Sequence, residues 1–447
     1  EASMQVSIET ISNLERKMTI TVPAQRVGDE VKKRLEETAK TAKIDGFRVG
    51  KVTVNVINQK YGQGIRKEVV SETVRASFYE AVTKEKVTPA SPPDIEPKLD
   101  KPGEDLEFIA TFEVLPEIEL SDLKQVKILK PSAEVKDVDI DIMIQGLRKQ
   151  HATWNEVDRP AAHGDEATID YTGIKDGKEF DGGSAENYPI EIGGGTAVAG
   201  FEDGIIGMSL GDKKTLSITF PENYQSEELK GASVEFEIKL NLLKEPTLPA
   251  LNDEFFKLFG LKAGGEEVFR SAVLQNMQRD LKNALEGKTK GRVMQELFTL
   301  HSEIQVPLTR IATEISGLKQ QMAQKLAGDG GENNFDPSLL PDEMFEEQAK
   351  RRAIVGLVVN EIVQSNQIDV DGAKVRAKIQ EIAAGYDQPE EVIKYHYDSP
   401  ELLKSIEANV LQEQVVDFVL NQAEVIDESV DYQQAVTPDP DQVAANT

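Results

Sequence analysis

The chain has no cysteine, one tryptophan, four histidines and only 6% aromatic residues among 447. Without thiols there can be neither disulfides nor thiolate metal sites, a composition compatible with a reducing cytoplasm. His151, His163, His301 and His396 show no metal-ligand spacing and read as surface or linker positions, so neither a metal nor a cofactor is expected. No apolar run approaches the roughly 20 residues that span a bilayer. The longest, such as Ala353 to Val359, read as buried helix, and no membrane partner is expected. The beginning lacks a basic stretch followed by an apolar one, so no secretory signal is expected. Glu1 to Ser3 ahead of Met4 read as a remnant of cloning.

Charge is abundant and one-sided. The net charge is −28 and charged residues make up 29% of the chain, which argues against general nucleic-acid binding because phosphate would be repelled. Residues 1–70 run against this trend, with 13 Lys or Arg and 9 Asp or Glu, a local surplus of +4 that leaves −32 on the rest. A basic head on an acidic body suggests that the head meets something anionic.

The length suggests about three domains. Gln5 to Glu9 and Met18 to Val22 alternate like strands with one buried face. Val27, Val31, Leu35, Ala39 and Ala42 form an apolar stripe on a charged helix that stops at Ile44-Asp45-Gly46-Phe47-Arg48-Val49-Gly50-Lys51. A second helix follows, with Ile65, Val69, Phe78 and Val82. Leu106 to Val114 reads as a strand closing one α+β domain, 4–114. Residues 115–152 connect, with a helix over Asp137 to Lys149. Residues 153–246 are turn-rich, with short strands such as Ala167 to Thr172 and Val234 to Leu240. From 247 to 432 the pattern is helical, interrupted by a loop from Gly328 to Pro341, and 433–447 is expected to be a disordered tail.

Ile169-Asp170-Tyr171-Thr172-Gly173, Asp176-Gly177-Lys178-Glu179-Phe180-Asp181 and Gly200-Phe201-Glu202-Asp203-Gly204-Ile205-Ile206-Gly207-Met208 form a specific ordered motif. It resembles the FKBP-type prolyl isomerases over most of residues 160–245. The resemblance implies a curved antiparallel sheet wrapped on a short helix, with a proline pocket lined by Tyr171, Phe180, Asp181, Val198, Phe201, Tyr224 and Phe236. Phe201 stands where many members carry a tryptophan at the pocket floor, and Asp181 and Tyr224 would be the polar contacts. Such chemistry needs no nucleophile or metal. A dry aromatic pocket that prefers the twisted amide lowers the rotation barrier by differential binding. Gly193-Gly194-Gly195 is not followed by Gly-Lys-Ser/Thr and reads as a turn rather than a phosphate loop. The acids, Glu202-Asp203 among them, read mostly as solvated.

Gly46-Phe47-Arg48-Val49-Gly50-Lys51, followed by Tyr61-Gly62, resembles the ribosome-docking signature of the trigger factor family. With the order of head, inserted isomerase and helical C-terminal part, that resemblance covers 4–430. It implies a multidomain α+β protein: an α+β ribosome-binding head, an FKBP-like middle domain of sheet plus helix, and an all-α chaperone domain with arms enclosing a cradle. The partners it implies are the ribosome near its exit tunnel, both protein and rRNA, nascent and unfolded polypeptides, and a second copy of the chain off the ribosome. Docking would rest on Gly46, Phe47, Arg48, Gly50 and Lys51, an apolar anchor beside cations. Val49 and Thr53 depart from the pattern, where a lysine or proline and a proline are common, so weaker docking is expected. The rival readings are a soluble prolyl isomerase whose helices only bind partners, and a scaffold whose isomerase pocket is inactive.

Overall fold

The computed structural model describes residues 3–327 and 336–440. In chain order the elements are β1 (Gln5–Thr10), β2 (Glu15–Val22), α1 (Ala24–Thr41), α2 (Val54–Lys84), β3 (Asp94–Leu99) and β4 (Leu106–Glu113). Then come β5 (Lys127–Ser132), α3 (Asp137–Gln150), β6 (Thr153–Glu156), β7 (Glu166–Lys175), β8 (Lys178–Glu191), α4 (Phe201–Ile205), β9 (Lys213–Thr219) and β10 (Ser233–Thr247). Helices dominate the remainder: α5 (Asp253–Lys257), α6 (Gly265–Leu300), α7 (Leu308–Ala327), α8 (Glu346–Ser365), α9 (Gly372–Ala383), α10 (Pro389–Asp398) and α11 (Pro400–Gln422). Among the described residues the last elements are β11 (Glu424–Ser429) and α12 (Tyr432–Val436). It divides into two compact units, one formed by the segments up to Pro131, Glu286–Ser429 and from Pro438, the other by Ser132–Leu285 and Val430–Thr437.

In the first unit, an antiparallel sheet in the order β1-β2-β4-β3 carries α1 and α2. The two-residue period of its strands is what selects its buried face. Met18, Ile20 and Val22 on β2 and Leu106, Phe108, Ala110 and Phe112 on β4 point inward, against Val27 and Leu35 of α1 and Ile57, Val69 and Phe78 of α2. Arg34 ties the two helices through Glu72, Glu68 and, on its own helix, Glu30.

A second core in this unit gathers Val293 and Leu297 of α6, Ile354, Leu357 and Val358 of α8, and Val415 and Val419 of α11. The stretch expected to connect the first two domains is built into it, through Leu123, Val126 and Ile128. β5 pairs with β11. Smaller clusters join α7 to α8 around Ile315, Leu318 and Phe345, and α9 to α11 around Val375, Ile379, Ile406 and Val410.

Two expectations change here. His301 is buried, not a surface or linker residue. Its Nε2 accepts from the Ser121 backbone N–H (3.1 Å) and its Nδ1 lies 2.7 Å from the Leu297 carbonyl. The tail expected from 433 is instead helical to Val436, because Tyr432 and Ala435 have an apolar face to bury and Asp431 caps the helix. Residues 441–447 of that tail, and 328–335 of the long loop, lie outside the described residues.

The second unit is built on a five-stranded antiparallel sheet, β6-β10-β7-β8, with β9 also pairing β10. Val234, Phe236, Ile238 and Leu240 alternate inward along β10 and pack on α4 through Phe201 and Ile205. A second cluster in this unit joins Ile140 and Ile144 of α3 to Phe269, Val273, Met277 and Leu281 of α6. Among the described residues no helix is long and apolar enough to cross a membrane.

Candidate functional site

The sheet and α4 of the second unit bring six of the seven predicted pocket residues into one cluster. Phe201 opens α4, Phe236 lies near the start of β10, and both are buried. Their rings meet edge to face at 5.2 Å and 89°. Tyr171 of β7 completes a trio, 5.8 Å from Phe201 and 6.1 Å from Phe236. Such edge-on aromatic pairs add to what area burial alone supplies. Tyr171, Phe180, Val198 and Tyr224 are only half-buried and pack around this floor as a rim. Asp181, next on β8, is solvent-exposed.

The rim depends on glycines. A Cβ on Gly173 would stand 2.8 Å from the Phe180 ring and 2.9 Å from Phe236, and one on Gly183 would stand 2.7 Å from Phe180. The Phe180 ring therefore lies directly on backbone at two points. Tyr171 has its hydroxyl pKa raised above the ordinary value by burial first, then by the neighbouring Tyr188 and Tyr224 phenols. It therefore stays protonated and able to donate.

Sequence reasoning passed over three participants. Phe220 lies 4.7 Å from Tyr224 and backs the rim. Tyr188 faces Tyr171 edge-on at 5.6 Å. Glu202 is buried, not solvated, and its carboxylate accepts from the backbone N–H groups of Gly193 (3.2 Å), Gly195 (3.0 Å), Thr196 (3.2 Å) and Ala197 (3.4 Å). The triple-glycine turn does form an anion cradle, but the chain's own carboxylate fills it. The spacing of Glu202 after the glycines was the available signal; the loop conformation that brings them together was not readable.

The second candidate site lies in the first unit, on the loop from α1 to α2. Gly46 (φ 89°) and Gly50 (φ 81°) take the left-handed conformation that glycine adopts without steric cost. Lys51 N–H donates to the Arg48 carbonyl at 2.9 Å, closing a turn between them. Val52, buried, anchors the base of the loop, while Phe47 and Val49 at the tip are 41% and 53% exposed. Arg48 and Lys51 are exposed beside them, so all five predicted docking residues share one solvent-facing tip. Tyr61, also 41% exposed, sits on α2.

Three family models match in succession: bacterial trigger factor protein over residues 4–147, FKBP-type peptidyl-prolyl cis-trans isomerase over 157–241, and the trigger factor C-terminus over 267–421. Among curated relatives, a trigger factor of Cellvibrio japonicus is 49% identical, covering 97% of this chain and 99% of that protein. One of Saccharophagus degradans is 46% identical over 97% and 98%, and one of Alcanivorax borkumensis 45% over 97% and 99%. A solved structure reported for promiscuous substrate recognition by the trigger factor chaperone aligns over 93% of this chain and 99% of that one, at 16% identity and a TM-score of 0.44.

Proposed function

The chain belongs to the trigger factor family, and from that premise we propose that it is an ATP-independent cytoplasmic chaperone that docks at the ribosomal exit tunnel and isomerises X-Pro bonds. On this reading residues 4–114 are the docking head, 153–246 the prolyl isomerase and 247–432 the client-holding part, and 115–152 connects head and isomerase while packing into the helical cores. The observation that carries it is the edge-on trio of Tyr171, Phe201 and Phe236 under a half-open rim.

Rotation about a peptide bond must overcome resonance worth about 18–20 kcal/mol. Uncatalysed X-Pro exchange takes tens to hundreds of seconds. An apolar cup solvates the twisted amide, in which resonance and its charge separation are reduced, better than the planar one. That difference in binding lowers the barrier. Tyr171 and Tyr224 can donate to the substrate carbonyls, and Asp181 is available at the surface for a polar contact.

At the head, Phe47 offers an apolar anchor while Arg48 and Lys51 offer charge to acidic side chains or phosphate. For clients, α7 borders a cavity of about 500 Å³ in which apolar Leu308, Ile311, Ile315 and Pro337 alternate with polar residues such as Lys319, Asp336 and Asp342, and Leu339 and Met344, in the segment that follows, are exposed. Adaptable apolar surface of this kind suits unfolded segments, and the net charge of −28 opposes aggregation.

The test is co-sedimentation with bacterial ribosomes at low and moderate salt, beside the double variant Phe47→Ala/Arg48→Ala. Binding that is lost in the variant supports docking through the tip. No binding by the parent chain at either salt would mean that Val49 and Thr53 have disabled the loop, and would favour a free-standing isomerase with helical partner-binding surfaces. Sedimentation velocity on the free chain tests the second copy as partner.

A further inference from the structure

The loop before α4 is shaped by two glycines in the left-handed region, Gly193 (φ 92°) and Gly195 (φ 73°). A side chain at Gly193 would collide with His163, whose Nε2 would be 2.2 Å from the new Cβ. With its backbone so turned, the loop aims the N–H groups of Gly193, Gly195, Thr196 and Ala197 at one point while that of Gly194 turns to the Glu191 carbonyl, an arrangement that makes an anion-binding concavity. Glu202 Oε2 receives Gly193 and Gly195, while Oε1 receives Thr196, through both N–H and hydroxyl (3.5 Å), and Ala197. Val198 is the next residue, and its carbonyl accepts from the Phe201 N–H at 3.0 Å. One carboxylate is thus bonded to the residues immediately before Val198 and is itself adjacent to Phe201.

We propose that Glu202 is a positioning residue of the proline cup: by filling the backbone cradle of residues 193–197 it fixes where Val198 stands on the rim and Phe201 on the floor. This rests on the isomerase reading of the cup. Glu202 touches no reacting atom; it acts through the loop. Burial raises the pKa of its carboxyl, but the four N–H donors outweigh burial and hold it below the usual carboxylate range, so the cradle is filled by an anion at neutral pH. A glutamine of the same size cannot replace it. Whichever way its amide faces, one oxygen position becomes an NH₂ donor set against two N–H donors.

The test compares the full-length chain with Glu202→Gln and Glu202→Ala, and with Leu243→Ala as a control. Leu243 is fully buried in the same core but pairs with Ala167, well along β7 from Tyr171. Two readouts are taken: kcat/KM on a short prolyl peptide, and NMR signals of the Val198 methyls and the amides of 193–197. In both Glu202 variants the amide and Val198 signals move and kcat/KM falls about ten-fold or more, the scale expected when a supporting shell shifts by a fraction of an ångström or more. Leu243→Ala lowers the melting temperature but leaves the Val198 signals and kcat/KM at the parent values. Unmoved Val198 and amide signals in Glu202→Gln would overturn the proposal, as would a kcat/KM loss no greater than that of Leu243→Ala. A parent chain inactive on prolyl peptides would defeat the isomerase reading, and the NMR signals alone would then decide whether Glu202 sets the wall.

Discussion

Gly173 lies under Phe180: a methyl group at Gly173 would come within 2.8 Å of two carbons of that ring. A methyl group at Gly183, on Phe180's own strand β8, would stand 2.7 Å from the same ring. Two strands thus leave out their side chains so that one aromatic can lie flat on the sheet and form a wall of the cup.

Gly173→Ala is expected to push Phe180 outward and press on buried Phe236. Overpacking of this sort costs about 1–3 kcal/mol, and catalysis of proline-limited refolding should fall with it. Gly183→Ala should behave alike. Gly146→Ala on α3, where a Cβ meets nothing within 4 Å, is the contrast. It should stabilise by up to about 1 kcal/mol through helix propensity alone. Urea denaturation and a refolding assay on the three variants check all of this together.

Asp165 gives the isomerase region an acid dependence. Its buried carboxylate accepts from Arg159 Nη1 (2.7 Å) and Nη2 (2.9 Å) and from the Ala162 N–H (2.9 Å). Burial raises its pKa, but these donors outweigh it and hold the group below its ordinary 3.8. A carboxyl depressed in the folded state adds stability that is fully present above its unfolded value and is lost as pH falls through the folded one. Thermal melts should therefore weaken below about pH 4. Asp165→Asn should melt lower at neutral pH and lose part of that acid-induced fall, as calorimetry across pH would show.

Much of this was written locally in the sequence, and the exceptions are non-local. The alternation of Met18, Ile20 and Val22 and the helical stripe Phe269-Val273-Met277-Leu281 each need only one element to be read, and both became core. The pocket aromatics were legible because they come in an ordered motif. Tyr188 and Phe220 belong to no such motif and entered only through register and loop packing. Glu202 read as one more acid because its burial depends on a loop conformation. His301 lies at the end of α6, and nothing in its own neighbourhood says that Ser121, 180 residues earlier, will donate to it. The pairing of β5 with β11 likewise joins segments almost 300 residues apart.

His301 therefore makes a prediction of its own. With Nδ1 donating to the Leu297 carbonyl and Nε2 accepting from Ser121, both ring nitrogens are used. His301→Ala strands the Ser121 N–H, at about 1–3 kcal/mol for the unsatisfied group, and adds the cost of a cavity. His301→Phe fills the volume but still strands the donor. Both should lower the urea midpoint, Phe less than Ala. Equal stability of the Phe variant and the parent would mean that packing, not the hydrogen bond, is what His301 supplies.

Arg292 of α6 binds Asp439, Glu428 and Leu129. Its Nε and Nη2 reach the two oxygens of Asp439 (3.0 and 3.3 Å), and Nη1 reaches Glu428 of β11 and the Leu129 carbonyl of β5, both at 2.6 Å. A planar fork can serve three segments at once; a lysine cannot. Lys288 adds a second cation, 3.4 Å from Asp439. Charge-assisted bonds contribute about 1.5–3 kcal/mol each where buried. The partial exposure of Glu428 and Asp439 reduces that here, so Arg292→Ala should cost about 2 kcal/mol. The loss should be local rather than global. Hydrogen exchange should quicken in β11 and in residues 437–440 while the amides of β2 and β4 keep their protection. Arg292→Lys should restore only part of it, since it keeps the charge without the fork. Uniform quickening throughout the unit would show instead that Arg292 holds the whole core and not its C-terminal strand.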